Sequence, residues 1–233
     1  MANLSHIENQ IKSVINFQEL IASPFQGEIN AMCWKRNLIG DFSEIIKKVA
    51  SNENIVALHL EELYELQLSE QGKLARNILI NDFKLLKNQG ASPTLNIIKN
   101  YERDDAFPFF PTDVYSFHVD RSPIPTDTFL CTYHGEASDI LPNSEGIQKI
   151  LIPEIRVELK KLYGEGSNDG FESFLSEFFF DLHYQAKPTA KPISLGIGHL
   201  WKLAIDHPES KVLPCLHRAP KEKTGEHRLM MIC

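Results

Sequence analysis

Apolar residues recur at helical spacing through roughly the first hundred positions and in short strand-length runs after them, so the chain changes character near residue 100. Ile7, Ile11, Val14, Ile15, Leu20 and Ile21 predict a first amphipathic helix, ended by Ser23-Pro24. Ile29–Trp34 reads as a short strand. Asp41-Phe-Ser-Glu44 carries the residue types of a capping box, with Asp at the first position, and predicts a helix through Ile45, Ile46 and Val49. Ile55–Leu60 is either a strand or the lead-in to the next helix. Leu66, Leu74, Ile78, Phe83 and Leu86 predict one long helix, or two joined at Gly72, capped by Gly90. A short helix is expected after Ser92-Pro93, because proline is tolerated in a first turn.

From Asp113 the period changes. Val114–Val119, Thr128–Tyr133, Gln148–Ile152, Ile193–Ile197, His199–Ile205, Val212–Leu216 and His227–Ile232 are of strand length, and turn residues bound most of them. A helical insertion at roughly 170–185 interrupts them, preceded by the glycine-rich run Gly164–Gly170, read as a loop. The expected fold is α+β: a C-terminal sandwich or jelly roll over residues 106–233, buttressed by a mainly helical region over residues 1–105. That helical third could equally present a homodimer surface.

Composition narrows the function classes. With 42% hydrophobic and 24% charged residues, the chain has an ordinary globular composition. A net charge of −7 offers no global positive field, so no nucleic-acid partner is expected. The N-terminal segment lacks a signal peptide's apolar core, and no apolar run approaches the ~18 residues of a membrane span, so no membrane role is expected. Cys33, Cys131, Cys215 and Cys233 are scattered without a CxxC pair, which argues against a zinc ribbon and for reduced thiols in a cytoplasmic protein. Serine-hydrolase, P-loop and dinucleotide signatures are absent.

The sharpest chemical feature is Phe117-His118-Val119-Asp120. Side chains at i and i+2 of a strand share a face, so His118 and Asp120 point together while Val119 packs the other way. Alone, the pair is as well explained by a hydrogen bond tidying a strand end. His217, in Leu213-Pro-Cys-Leu-His217-Arg-Ala-Pro220, adds a second imidazole at a strand–turn–strand junction. Two histidines and a carboxylate form the facial triad that leaves coordination positions open on iron(II). Arg228, near the start of the next strand and sharing a face with Met230 and Ile232, is placed to grip a carboxylate through two parallel hydrogen bonds. A solvated strand position is the plainer reading of Arg228.

This arrangement resembles the Fe(II)/2-oxoglutarate-dependent dioxygenases, which use a double-stranded β-helix. Cys33–Arg36, Phe117–Asp120, Leu130–Tyr133, Cys215–Pro220 and Arg228–Met231 are also similar to a bacterial family without an assigned activity, over about residue 28 to the end. The first resemblance implies a hydroxylase with His118, Asp120 and His217 as ligands to Fe(II). It further implies that Arg228 binds 2-oxoglutarate with help from Tyr133, and that the substrate is a small molecule or peptide. If Tyr133 lines the pocket, Thr132 faces away. Cupin-type metal proteins share the fold without 2-oxoglutarate, so metal handling or sensing is the alternative. His134 reads as a turn residue, Asp181-x-His183 as helix surface, and Trp34 as core.

Overall fold

A computed structural model describes residues 9–49, 51–104, 106–164, 170–221, 223 and 225–233. Ile7 and positions 165–169 of the glycine-rich run lie outside the described residues.

The strands are β1 (Ile11–Val14), β2 (Ala31–Trp34), β3 (Ile55–Leu58), β4 (Thr94–Ile98), β5 (Phe117–His118), β6 (Asp127–His134), β7 (Asp139–Leu141), β8 (Gly146–Gln148), β9 (His183–Ala186), β10 (Ile193–Ser194), β11 (Leu200–Ala204), β12 (Leu216–Arg218) and β13 (Arg228–Ile232). The helices are α1 (Phe17–Ala22), α2 (Phe42–Lys48), α3 (Leu60–Glu65), α4 (Glu70–Asn88), α5 (Pro153–Tyr163) and α6 (Phe171–Glu177). The molecule is mixed α+β, with two largely antiparallel sheets. The larger runs β1-β2-β11-β6-β13-β4-β3 and the smaller β10-β7-β12-β5-β9-β8.

Alternation along each strand sorts its residues between two cores. From β6, Cys131 and Tyr133 join Leu200, Leu229 and Met231 against α1–α4. Leu130, Trp201, Leu203 and Met230 face the other way and meet Ile140 from the smaller sheet and Cys215 just before β12. The large sheet is therefore covered by helices on one face and by the second sheet on the other. Burying both faces explains why its strands read as apolar runs rather than strict alternation.

Several elements follow their local signals. Asp41 caps α2 by accepting the Glu44 N–H at 3.1 Å. Glu44 does not close the capping box; its carboxylate instead binds Ser69 N at 2.8 Å and Ser69 Oγ at 2.5 Å, at the cap of α4. A Cβ at Gly72 would collide with that carboxylate, so Gly72 serves the contact between α2 and α4 and does not break a helix. The break falls instead at Leu66–Ser69, between α3 and α4. Gly90 ends α4 at φ +87°, as a C-terminal glycine should.

Other expectations fail through tertiary pairing. Part of the predicted first helix is β1, a strand that pairs in parallel with β2. The segment after Ser92-Pro93 is β4, hydrogen-bonded between β13 and β3. Residues 1–105 thus supply four strands to the large sheet as well as helices that buttress it. Gln148–Ile152 is mostly a 3-10 turn leading into α5, which the sequence reading did not anticipate. The insertion at 170–185 is helical only as α6 and a short 3-10 turn; His183 begins β9. Among the described residues, no helix is long and apolar enough to cross a membrane.

Candidate metal centre

The smaller sheet aligns three histidines across three neighbouring strands. His217 on β12 pairs with His118 on β5, and His118 pairs with His183 on β9. Opposed residues of antiparallel strands project to the same face, so the three imidazoles form one row. Their ring centroids are 4.5 Å apart for His118 and His217, and 5.8 Å apart for His118 and His183. Asp120 lies two residues beyond His118 and completes the cluster: one donor atom each from His118, Asp120 and His217 falls within 4.8 Å of the others. Phe117 and Val119 turn to the opposite face and pack with Leu141, Leu182 and Leu216.

Backbone and side-chain contacts orient these groups. His118 Nδ1 lies 2.8 Å from Ser116 O, and His217 Nδ1 lies 3.3 Å from Cys215 O. Each carbonyl accepts the Nδ1 proton and leaves Nε2 with its lone pair free, which is how protein metal sites fix imidazole orientation. The Thr128 hydroxyl donates to Asp120 Oδ2 at 2.5 Å, steadying the carboxylate from the large sheet. His217 Nε2 lies 3.6 Å from that same oxygen.

Electrostatics favour neutral His118 and ionised Asp120, the forms that can bind a metal. Burial, with His217 beside it, pushes His118 down to about 4, so it is neutral near pH 7. Burial works to raise the Asp120 carboxyl, but His217, the Thr128 hydroxyl and His118 outweigh it and hold the carboxylate below its usual range. A cavity of about 220 Å³ opens beside His118 and Asp120, walled by Thr112, Val114, Val119, Arg121, Phe179, Leu182 and His183. His118 and Asp120 line this cavity and His217 clusters with them, a set of two imidazoles and one carboxylate that suits a divalent ion with open coordination positions.

The other predicted residues divide. Arg228 is buried and faces the space between the sheets, along with Met230. Its Nε donates to Glu136 O at 2.7 Å and its Nη2 to Ser138 Oγ at 3.1 Å. It lines a narrow cavity with Tyr101, Glu136 and His227, distinct from the one beside the triad. Tyr133 is corrected: it lies on the helix-covered face, stacked on Phe42 at 5.5 Å, and donates to Asp82 Oδ2 at 2.9 Å. Thr132, its neighbour, is the residue on the inward face. The sequence reading treated His183 as helix surface and so missed it; its burial and its place in the row depend on β5–β9 pairing, which carries no local signal.

No known protein family, curated protein or solved structure matches this chain.

Proposed function

We propose that this chain is a mononuclear non-haem Fe(II), 2-oxoglutarate-dependent oxygenase on a double-stranded β-helix, acting on a small molecule or peptide. The observation that carries the reading is the convergence of two backbone-oriented imidazoles and one held carboxylate beside a cavity. His118, Asp120 and His217 would hold the metal. When bound, such a centre supplies dioxygen activation coupled to oxidative decarboxylation of 2-oxoglutarate. The chain's own part is orientation and exclusion of water. Ser116 O and Cys215 O fix the imidazoles, Thr128 fixes the carboxylate, and the apolar layer containing Ile140 and Cys215 keeps the inner side dry. Arg228 is the cation offered to the co-substrate's distal carboxylate, with Ser138 beside it.

The test is anaerobic addition of Fe(II) and then 2-oxoglutarate to purified protein. A weak visible charge-transfer band supports the reading, and its absence in iron-loaded protein overturns it. A second reading, a cupin-like metal-binding protein without turnover, is favoured by the separation of the Arg228 cavity from the triad cavity. Arg228→Ala distinguishes the two. It abolishes 2-oxoglutarate affinity under the first and finds none to abolish under the second, with metal affinity preserved in both.

A further inference from the structure

His183 stands in the histidine row but outside the ligand set. It is 5% exposed, and its Nδ1 is buried with no hydrogen-bond partner among the described residues. The contrast with its neighbours is informative. His118 and His217 are each pinned through Nδ1 by a backbone carbonyl, as ligands are, whereas no such contact orients His183. A buried polar atom left unpaired is costly, so one that persists calls for a partner that the described residues do not supply.

The cavity wall narrows what that partner is. Arg121 is engaged by Asp181 at 2.6 Å and by Asp206 at 2.6 Å. The Thr112 hydroxyl is engaged by Asp104. Asp120 and His118 belong to the triad. Val114, Val119, Phe179 and Leu182 are apolar. His183 is the polar group of the wall left to meet a ligand. Its position suits one bound on the metal: a ligand atom ~2 Å from the ion, accepting a hydrogen bond of ~2.9 Å, reaches a group one strand away from His118.

We propose that His183 hydrogen-bonds an oxyanion held at the open coordination positions of the triad, donating an imidazole N–H to a small carboxylate. This rests on the metal reading of the same site and adds to it a fourth, outer-sphere residue that fixes how the anion lies in the cavity. His183 positions the anion without ligating the ion.

The experiment uses the full chain loaded with Co(II), with sodium acetate as the anion probe, read by the visible d–d bands. Wild type is compared with His183→Leu, which cannot donate, and His183→Gln, whose amide N–H can. Co(II) affinity should stay within about threefold in both variants, while acetate affinity falls about tenfold or more in the leucine variant and is largely kept by glutamine. His183→Asn, too short to reach, should show the same loss where the leucine variant fails to fold. Equal acetate affinity in wild type and the non-donating variants overturns the assignment, as does Co(II)-loaded wild type that takes no acetate. A Co(II) affinity lowered by His183→Gln, with altered band positions, makes His183 a ligand and overturns its outer-sphere role. Wild type that binds no Co(II) overturns the metal reading itself, a result separate from the others.

Discussion

Two polar clusters flank the strands of this molecule, and they differ in what their charges face. Under the helices, Arg36 and Asp82 meet at 2.7 Å, Tyr133 donates to the other Asp82 oxygen, and Arg36 Nε donates to Gly198 O at 2.9 Å. The Arg36 guanidinium also lies 4.6 Å from the Trp34 ring centre. Each charge there is answered by another group of the chain. In the smaller sheet, one donor atom each from His118, Asp120 and His217 lies within 4.8 Å of the others, and His118 and Asp120 line a cavity. The first cluster closes on itself and holds α4 to the sheet. The second is held open by its supports, and that openness makes it a candidate site.

The largest way to test the contrast is to break the closed cluster. Asp82→Ala leaves the Arg36 guanidinium, whose side chain is 9% exposed, without its anion. Stability should fall by about 3–5 kcal/mol, read by urea denaturation, with metal affinity of the folded protein unchanged. At the open cluster, Thr128→Val removes the donor that steadies Asp120. Metal affinity should drop about 10–100-fold, measured by competition with a chromophoric chelator, with a much smaller loss of stability.

A pH series probes the histidine row. His118 and His183 are depressed from 6.5 to about 4 and about 3, in both cases chiefly by burial. Below pH 6.5 the unfolded chain takes up protons at these positions that the folded chain refuses. Stability of the metal-free protein should therefore fall as pH drops from 6.5 towards 4. Tyr133 and Arg36 of the closed cluster add nothing in that window. Burial and its neighbours push Tyr133 upward, and Asp82 more than offsets the effect of burial on Arg36. Urea midpoints at pH 7 and pH 5 measure the loss, which His118→Asn and His183→Asn should each reduce. The smallest effect is that of Tyr133→Phe, about 1 kcal/mol of stability from the lost hydrogen bond to Asp82. It should leave 2-oxoglutarate affinity unmoved, because Tyr133 lies on the far side of the large sheet.

That last residue shows where sequence reading stops. Alternation says that Tyr133 and Thr132 take opposite faces of β6, and it is silent on which face is inward. Both faces of the strand are buried, one by helices and one by a sheet, so hydrophobicity does not distinguish them. Thr94–Ile98 is a similar case. Pro93 suits the start of a helix or of a strand, and pairing with β13, 130 or more residues away, decides for the strand.

What the sequence alone determined is local. The 3.6-residue period places α4, Asp41 starts α2, Gly90 ends α4, and the i, i+2 spacing puts His118 and Asp120 on one side of their strand. Each of these rests on backbone geometry within a few residues. Tertiary structure decided the rest: that His217 lies opposite His118, that His183 lies opposite it on the other side, and that the Thr128 hydroxyl reaches Asp120 from the other sheet. Those contacts depend on strand order and register, which are set by the summed burial of both cores and by no short segment.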